Sequence, residues 1–563
     1  MVYPWLKTYP EGIDWNQKFE AQPVFAALDI GAANWPGNVH LEFLDRSFTY
    51  GEILKLANRA AKGFQNIGVQ KGTKVGLFLP NCPQQVIAYY GVLKAGGTVV
   101  NYSPLYSEPE LLHQIEDSQT DIMVTLDLEA LYPKMQQLMD ESRVNKLVVA
   151  SLQDMMPRTK GVLFSLLRRK DIAKVAKDEQ HVPWDDLMDN DGAYEAVEID
   201  PHEDLAVLQY TGGTTGTPKG AMLTHANVFI NACQNKVWLE GFQEGKETTI
   251  GALPFFHAFA MTTMLVMATM AGTRIILHPR FELDDIVRDI IRKKPSTIAG
   301  VPTMFTAMAN HKDANRDSFS SLKWCMSGGA PLPNEVREHF ESVTGVEIVE
   351  GYGLTESSPT ATCGLHFGLN KNGSIGLPLP QTRIIVVDKE DPTRVLPAGE
   401  IGEITIDGPQ VMKGYWQNPE ATAETIVEGR LRTGDVGYMD EDGYTFIIDR
   451  MKDMILVGGF NVYPRFVEEA IHKHPAVKEV TVIGVPDDYS GEAPKAFVVL
   501  KDGAGPITAE ELDTFLREHI GKHELPREIE FRDELPKTMV GKLSKKELVA
   551  EEEAKLVEPE EAA

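Results

Sequence analysis

The stretch Tyr210-Thr-Gly-Gly-Thr-Thr-Gly-Thr-Pro-Lys-Gly220 lies between two short apolar segments and is the most informative part of the chain. It carries four glycines, four threonines and one lysine. Glycines let the backbone approach closely with positive φ, so that N–H groups can converge on anionic oxygens, and hydroxyls add donors or metal ligands. The stretch does not match the Walker sequence. It predicts a polyphosphate-binding loop that follows a strand, and the alternative is a flexible surface turn.

The composition is that of a globular protein with a large acidic excess. The 563 residues are too many for one core and predict about three or four domain-sized units. The chain has 55 Lys and Arg against 82 Asp and Glu, a net charge of −27, which argues against nucleic acid as a partner because a phosphate backbone needs a basic face. The cysteines, at positions 82, 233, 325 and 363, form no CxxC pair, and the N-terminus lacks the apolar region of a signal peptide. We therefore expect a cytoplasmic protein without a disulfide framework or a zinc site.

Short apolar strands alternate with helical periods in two regions, 23–200 and 204–376. Such alternation is typical of βαβ units and parallel sheets. From 382 to 449 the pattern changes to short strands separated by turns. The acidic end, from Glu551 to Glu561, is typical of a solvated, frayed terminus.

The fold class that follows is α/β. We predict a large N-terminal domain, 1–449, made of two βαβ-type parallel-sheet subdomains and a small β-rich subdomain. A small, mobile α+β C-terminal domain, 450–563, follows it, with a hinge near 450–453.

One long stretch, Thr248–Thr273, contains no Asp, Glu, Lys or Arg. Its length would allow a membrane span. Proline, histidine and threonines interrupt it, and no flanking basic cluster marks a cytoplasmic side. We therefore predict a buried helix of a soluble core.

A basic segment, 157–178, stands out in so acidic a chain. It has seven basic and two acidic residues, with Val162, Leu163, Phe164, Leu166 and Leu167 among them. A basic amphipathic segment can rest on an anionic membrane surface, which would place the protein peripherally at the inner face of the cell membrane. The alternative is a mobile, solvated loop.

Four further motifs carry groups that suit a nucleotide. In Gly351-Tyr-Gly-Leu-Thr-Glu356, Tyr352 offers a π-face to a base, Thr355 a hydroxyl, and Glu356 a hard oxygen ligand for Mg²⁺. Thr433-Gly-Asp435 places a carboxylate where it can accept ribose hydroxyls. The other two motifs are Asp449-Arg-Met-Lys-Asp453 and Pro536-Lys-Thr-Met-Val-Gly-Lys542. Each motif alone is also compatible with an ordinary turn or a solvated charge.

Taken in order, the five motifs resemble those of the adenylate-forming superfamily of acyl-CoA synthetases, luciferases and peptide-synthetase adenylation domains. The resemblance runs from about residue 24 to 548. Gly458-Gly-Phe-Asn-Val-Tyr-Pro464 and the glycine at 212, where the superfamily often has Ser or Thr, are most similar to the long-chain-fatty-acid–CoA ligase branch.

The resemblance implies a role for each matching residue. Thr211 and Glu356 would hold Mg²⁺, Lys542 would be the catalytic lysine at the reacting carboxylate, and Lys452 would lie at the hinge. Gly459 would line the channel for the pantetheine arm of coenzyme A after the C-terminal domain rotates. The candidate ATP-binding and coenzyme-A-binding residues are Thr211, Gly212, Gly213, Thr214, Thr215, Gly216, Thr217, Lys219, Gly328, Gly329, Ala330, Gly351, Tyr352, Gly353, Leu354, Thr355, Asp435, Arg450, Lys452, Gly458, Gly459 and Lys542.

The acyl site is the part for which the sequence is least informative. The candidate substrate-binding residues are His257, Met261, Val301, Gly329 and Gly353. His257 borders the acyl site or is a buried histidine. Methionines at 261, 264, 267 and 270 recur every third residue, and they line an adaptable tunnel or form a core stripe.

The resemblance implies an AMP-forming ligase that uses ATP, Mg²⁺ and coenzyme A and prefers long-chain fatty acids. It leaves open a ligase for medium-chain or aromatic acids, a fatty acyl-AMP ligase that loads a carrier protein, and a non-catalytic fatty-acid binding or uptake protein. A homodimer is also left open.

Overall fold

Four β-sheets organise the chain. The computed structural model describes residues 3–211, 218–487, 489–501, 503–505, 507–537 and 543–557. Two large, mainly parallel sheets and one small antiparallel sheet come before residue 451, and a fourth sheet forms after it. The α/β fold class predicted from the sequence is confirmed.

A seven-stranded sheet contains the strand that leads into the glycine-rich loop. All of its neighbouring strands are parallel except the last pair, in which Leu205–Thr211 and Lys219–Thr224 run antiparallel on either side of the loop. In spatial order its strands are His181–Pro183, Lys146–Ala150, Ile122–Leu126, Lys74–Leu77, Thr98–Asn101, Leu205–Thr211 and Lys219–Thr224.

A nine-stranded sheet carries the second motif. Its centre is parallel, and both of its edges are antiparallel. In spatial order its strands are Leu377–Pro378, Thr360–Cys363, Ile348–Gly353, Trp324–Gly328, Thr297–Gly300, Thr248–Gly251, Arg274–Leu277, Val39–Phe43 and Arg46–Thr49.

The sequence pattern suggested that the chain divides near residue 200 into one large sheet before it and one after it. The structure does not show this division. The first hairpin, 39–49, joins the nine-stranded sheet because Val39–Phe43 pairs in parallel with Arg274–Leu277. The strand Leu205–Thr211 joins the seven-stranded sheet because it pairs with Thr98–Asn101. Hydrophobic periodicity identifies strands but carries no information about their partners, so this exchange was not predictable.

The small β-rich subdomain is antiparallel throughout. Its strands are Arg383–Val387, Gly402–Asp407, Arg430–Met439, Ile426–Val427 and Thr445–Arg450. The fourth sheet pairs Ile455–Val457, Phe460–Val462, Val477–Asp487, Gly491–Leu500 and Glu528–Phe531. Buried side chains of this last sheet form clusters that are separate from the main core.

Most helices cover the faces of the two large sheets. Their starts follow local chemistry: at Tyr50–Asn66, the Thr49 N–H donates to Glu52 Oε2 over 2.7 Å and the Glu52 N–H donates back to Thr49 Oγ1 over 3.2 Å. The α-helices are Ala26–Asn34, Tyr50–Asn66, Pro83–Lys94, Glu108–Ser118, Tyr132–Glu141, Arg158–Leu167, Trp184–Met188, His225–Trp238, Ala258–Ala260, Ala268–Met270, Leu283–Lys293, Pro302–Ala309, Arg316–Phe319, Asn334–Thr344, Pro419–Thr425, Pro464–His472, Ala509–Leu516 and Lys545–Val557. Short 3₁₀ turns are Pro4–Lys7, Leu152–Met155, Arg169–Asp171, Thr355–Ser357 and Met451–Asp453.

The uncharged stretch contains a buried helix, as predicted, but its middle is not α-helical. Met261–Met267 forms a π-helix between two short α-helical pieces. Among the described residues, no helix is long and apolar enough to cross a membrane. Segments of π-helix are rare and occur mostly at functional sites.

The acidic end of the chain agrees with its prediction only in part. Residues as far as Val557 form the helix Lys545–Val557, and Leu548 is fully buried against the fourth sheet. Alanine, glutamate, lysine and leucine favour helix, so residues 551–557 continue the helix and do not fray. The side chains of 551 and 553–555 are exposed, as predicted, and Glu558–Glu561 lie outside the described residues.

The carboxyl edges of the two large sheets face each other. Asn81, which follows the strand Lys74–Leu77, donates its side-chain N–H to the carbonyls of Gly251 (3.1 Å) and Leu253 (2.8 Å) and accepts the Phe255 N–H over 2.8 Å. Ligands of open α/β sheets bind at carboxyl edges. The site is therefore expected in the cleft between these two edges.

Candidate active site

Tyr352, Asp435 and Arg450 form a hydrogen-bonded group near the carboxyl end of the strand Ile348–Gly353 in the nine-stranded sheet. The Tyr352 hydroxyl donates to Asp435 Oδ2 over 2.6 Å, and Arg450 Nε donates to Asp435 Oδ1 over 2.8 Å. Asp435 and Arg450 face each other across neighbouring antiparallel strands, and the Asp435 side chain is only 6 % exposed. Burial, with the Asp435 charge, raises the pKa of Tyr352, so the phenol stays a donor. The structure thus brings together three of the candidate ATP-binding residues.

Three glycines, Gly328, Gly329 and Gly351, lie beside this group, and we call them the glycine floor. Gly328 and Gly351 lie side by side in the parallel pair of strands. A Cβ on Gly328 would lie 3.0 Å from the Phe259 ring and 3.2 Å from the Gly351 carbonyl oxygen. Gly329 has a φ of +81°. Glycine at 328 therefore leaves room for the Phe259 ring to pack against the backbone of the two strands.

Gly353 has a different reason to be glycine. A Cβ there would lie 1.8 Å from the Pro359 carbonyl oxygen, which no side chain tolerates. Gly353 therefore lets the chain fold back tightly behind Leu354 and Thr355. It does not line the small apolar pocket described below.

Glu356 and Thr211 come from adjacent elements. Glu356 lies in the 3₁₀ turn Thr355–Ser357, which contacts the strand Lys219–Thr224. Thr211 ends the partner strand, and its hydroxyl donates to the Lys219 carbonyl over 3.4 Å. A hydroxyl and a carboxylate are ligands that suit Mg²⁺, which usually completes its shell with phosphates and water. The other loop residues assigned to phosphate, Gly212 to Thr217, lie outside the described residues.

Tyr415 positions Glu356 and belongs to none of the five motifs. Its hydroxyl donates to Glu356 Oε1 over 2.7 Å, and the Lys219 ammonium lies 5.2 Å from its ring centre. The backbone N–H of the neighbouring Trp416 donates to the Gly220 carbonyl over 2.8 Å. This hydrogen bond connects the segment to the glycine-rich loop. Tyr415 lies in the β-rich subdomain, far in sequence from the glycine-rich loop 210–220 and from the motif 351–356. No spacing pattern could therefore reveal it.

A small pocket adjoins the glycine floor. Its cavity volume is ≈ 10 Å³, about one water molecule. The residues that line it are Leu253, Pro254, His257, Phe259, Ala260, Val301 and Gly329. Three candidate acyl-site residues, His257, Val301 and Gly329, therefore meet at one cavity.

The methionines lie behind this pocket rather than in its lining. Met261 is fully buried, and its sulfur accepts the Asn101 side-chain N–H over 3.4 Å. Met264 and Met270 are 2 % and 3 % exposed. In this conformation the stripe is part of the main core.

The remaining candidates belong to the C-terminal part of the chain. Gly458 and Gly459 form an exposed hairpin turn, with φ of +56° and +88°, and a Cβ added at either would meet open space. Lys452 is exposed in the 3₁₀ turn Met451–Asp453. Lys542 lies outside the described residues.

Glu350 is a titratable group that the motifs did not flag. It precedes Gly351, accepts the Leu332 N–H over 3.3 Å, and has a pKa raised to about 7 by burial, against the opposing charge of Arg465. Arg465 is the second residue of the helix Pro464–His472, and its backbone N–H donates to Asp449 Oδ2 over 2.8 Å. Glu350 is therefore a carboxyl group on the strand that carries Tyr352, and the charge of Arg465 from the C-terminal part of the chain acts on it.

Glu350→Gln is expected to stabilise the protein more at pH 8 than at pH 5. The folded-state pKa is above the unfolded value, so the wild-type carboxyl costs stability as pH rises from about 4.5 to 7. Gln removes this cost, which is at most about 3 kcal/mol because one pKa unit is worth about 1.4 kcal/mol. Melting temperatures at the two pH values measure the effect. The exposed Glu347→Gln serves as the control, and an equal gain at both pH values would contradict the assignment.

The chain is similar to known proteins over nearly its whole length. The family model described as AMP-binding enzyme matches residues 28–416, and the model of the AMP-binding enzyme C-terminal domain matches 467–542. A long-chain-fatty-acid–CoA ligase of Bacillus subtilis (strain 168) is 42 % identical over 560 residues, covering 98 % of each chain. A feruloyl-CoA synthase of Amycolatopsis sp. is 34 % identical over 505 residues, covering 89 % of this chain and 93 % of the relative. ATP-bound MatB from Rhodopseudomonas palustris superposes with a TM-score of 0.83 at 28 % identity, covering 95 % of this chain and 99 % of that one.

Proposed function

Because the chain belongs to the family of AMP-binding enzymes, we infer that it activates a carboxylic acid with ATP and transfers the acyl group to coenzyme A. Its acid is a long-chain fatty acid. Curated long-chain-fatty-acid–CoA ligases that are 36–42 % identical over most of the chain support this substrate class, and the feruloyl-CoA synthase is more distant. The enzyme is an AMP-forming acid–thiol ligase.

One observation carries the assignment of the site. The glycine floor connects two surfaces: Gly328 lies beside Gly351, next to Tyr352, and Gly329 lines the apolar pocket. An adenylate that occupies the first surface and an acyl group that occupies the second would meet at this floor. A ligase that joins a carboxylate to an α-phosphate needs this juxtaposition.

In the first step a carboxylate oxygen attacks the α-phosphorus of ATP, and the bond to the β-phosphate breaks. Acyl-AMP forms and pyrophosphate leaves. Tyr352, Asp435 and Arg450 would orient the nucleoside through fixed hydrogen bonds, which cost little reorganisation during the reaction. Thr211 and Glu356 would hold Mg²⁺, which offsets phosphate charge when bound.

In the second step the sulfur of coenzyme A attacks the acyl carbon, and the C–O bond to AMP breaks. AMP leaves with the former carboxylate oxygen, and the thiol proton passes to solvent. A thiol of pKa about 8.5 is nucleophilic enough at neutral pH without a side-chain nucleophile. We propose that the domain 450–563 turns near residues 450–453 between the steps, so that Lys542 serves the first and the Gly458–Gly459 turn the second.

The acyl tail must displace side chains, because a ≈ 10 Å³ cavity cannot hold it. The π-helix Met261–Met267 begins next to Ala260 in the pocket lining, and methionine side chains adapt readily to new packing. We propose that this methionine-rich wall repacks around the tail.

Met264→Ala is expected to shift the preference for palmitate over octanoate by about tenfold, because wall contacts are worth roughly 1–3 kcal/mol per methylene-sized change. The ratio of kcat/KM for the two acids measures this. Met308→Ala, an equally buried methionine elsewhere in the core, is the control. Both variants should lose about 2–5 kcal/mol of stability. An unchanged ratio in Met264→Ala would assign the methionines to the core alone.

A substrate panel tests the assignment against its rivals. Pyrophosphate release with acetate, octanoate, palmitate, oleate and ferulate should give the highest kcat/KM for palmitate or oleate. A maximum at octanoate or ferulate would favour the medium-chain or aromatic ligase. Acyl-AMP that accumulates and does not respond to coenzyme A would favour a carrier-protein ligase, and absence of AMP would favour a binding or uptake protein.

A further inference from the structure

The helix Arg158–Leu167 has an unpartnered apolar face, which we call the apolar ridge. It consists of Val162, Leu163, Leu166 and Leu167, which are 62 %, 54 %, 72 % and 70 % exposed. These positions are spaced i, i+1, i+4 and i+5, so they share one side of the helix. A contiguous ridge of large exposed apolar side chains indicates an interaction surface.

The opposite face fixes the helix to the protein. Gly161 is the buried residue of the helix, and a Cβ there would lie 2.9 Å from the Gln153 carbonyl oxygen. Ser165 donates to the Gly161 carbonyl over 2.9 Å and to the Gln153 side chain. Phe164 packs against the main core. The ridge is therefore presented outward by a helix whose other side is anchored.

Basic residues flank the ridge in sequence: Arg158 begins its helix, and Arg169 and Lys170 follow the helix in a 3₁₀ turn. Within the described part of the chain, Arg158, Arg169, Lys170, Lys174 and Lys177 form no ion pair with an acidic side chain. The other two basic residues of the segment form ion pairs. Lys160 Nζ lies 2.6 Å from Asp45 Oδ2, and Arg168 Nη1 lies 3.3 Å from Asp171 Oδ2. An unneutralised positive cluster is unexpected in a chain of net charge −27.

The helix lies at the sheet edges that carry the active site. It follows the carboxyl end of the strand Lys146–Ala150, in the sheet in which Thr211 also ends a strand. Lys160 additionally donates to the Leu44 carbonyl over 3.0 Å. Leu44 follows the carboxyl end of Val39–Phe43, in the sheet that carries Tyr352. The helix thus spans the carboxyl edges of both large sheets.

We propose that the apolar ridge and the bordering basic residues dock on an anionic lipid bilayer, with the carboxyl edges of the sheets turned toward it. Charge complementarity selects this occupant: exposed leucines flanked by unpaired lysines and arginines fit a negatively charged interface, which attracts each such cation by about 1 kcal/mol. A protein of net charge −27 would be repelled on its other faces, so docking is oriented. The benefit of docking, access to a membrane-borne acid, rests on the proposed function.

Co-sedimentation of the full chain with lipid vesicles tests the proposal. We expect binding to vesicles of 30 % phosphatidylglycerol in phosphatidylcholine, weak binding to pure phosphatidylcholine, and loss of binding at high salt. Leu166→Glu with Leu167→Glu should weaken binding by more than about tenfold, because it removes apolar contact and adds like charge. Arg169→Glu with Lys170→Glu should do the same for anionic vesicles. Val395→Glu with Ile401→Glu, at exposed apolar positions elsewhere (55 % and 50 %), should leave binding unchanged.

Other outcomes would overturn the proposal. Unchanged vesicle binding by the Leu166/Leu167 variant excludes the ridge as the docking surface. If the Leu166/Leu167 variant has a lower molecular mass than the wild type by analytical ultracentrifugation and binds vesicles equally well, the ridge is a homodimer contact. Activity on soluble octanoate should stay at the wild-type level in all variants. If no acid supports AMP formation but vesicle binding follows the variants as expected, docking stands and the proposed function fails.

Discussion

Lys542→Ala is expected to reduce acyl-AMP formation by about 10²–10³-fold and to leave thioester formation from supplied acyl-AMP nearly unchanged. A fixed cationic donor at the developing charge of a phosphoryl-type transition state typically contributes this much. The second step needs the thiol of coenzyme A at the acyl carbon. For this step the proposed rotation replaces Lys542 with the Gly458–Gly459 turn. The two half-reactions are measured separately, as pyrophosphate release without coenzyme A and as thioester formation from synthetic palmitoyl-AMP.

The neighbouring lysine provides the control. Lys537 forms an ion pair with Glu479 over 2.6 Å, and a partly exposed pair of this kind contributes only about 0–1 kcal/mol to stability. Lys537→Ala should keep both half-reactions. Equal loss of both half-reactions in Lys542→Ala would contradict a lysine that serves one step, and with it the idea of alternating domain positions.

Glu356→Ala is the second large effect. It should lower kcat/KM for ATP by about 10²–10³-fold and raise the Mg²⁺ concentration needed for half-maximal rate, because the remaining protein ligand, Thr211, contributes no charge. Titration of pyrophosphate release with Mg²⁺ at saturating palmitate measures both quantities.

Tyr415→Phe separates metal binding from positioning. It removes the hydroxyl that donates to Glu356 Oε1 and keeps the carboxylate, so a loss of only about tenfold is expected, in line with about 1–1.5 kcal/mol for one hydrogen bond. If Glu356→Ala and Tyr415→Phe reduce activity equally, with unaltered Mg²⁺ dependence, Glu356 acts as a structural acceptor and not as a metal ligand.

The motifs were the most predictable part of the site, because each depends on a short local sequence. Tyr352, Asp435 and Arg450 meet in the structure as the joint order of their motifs implied. Tyr415, Phe259 and Glu350 were missed because each reaches the site through tertiary contacts, and none lies in a recognisable spacing. Glu350 is instructive: it directly precedes a motif, but only burial makes its carboxyl unusual.

The fold was predictable in class and in most strand positions, but not in connectivity. The first hairpin and the strand Leu205–Thr211 exchange sheets because pairing partners are chosen by long-range packing. The buried helix was predictable from its uncharged sequence, whereas the π-helical geometry of Met261–Met267 was not, because every-third spacing of methionines does not distinguish helix types. For the segment 157–178 the sequence left a solvated loop and an amphipathic surface open. The structure forms a helix there with its leucines outward.

In the proposed reaction, a carboxylate oxygen attacks the α-phosphorus of ATP before coenzyme A takes the acyl group. Palmitate labelled with ¹⁸O in both carboxylate oxygens, incubated with ATP, Mg²⁺, coenzyme A and the enzyme, tests this order most directly by mass spectrometry of the AMP. We expect one ¹⁸O atom in each AMP molecule and one in palmitoyl-CoA. Unlabelled AMP, or ADP and labelled phosphate in its place, would contradict the proposed reaction.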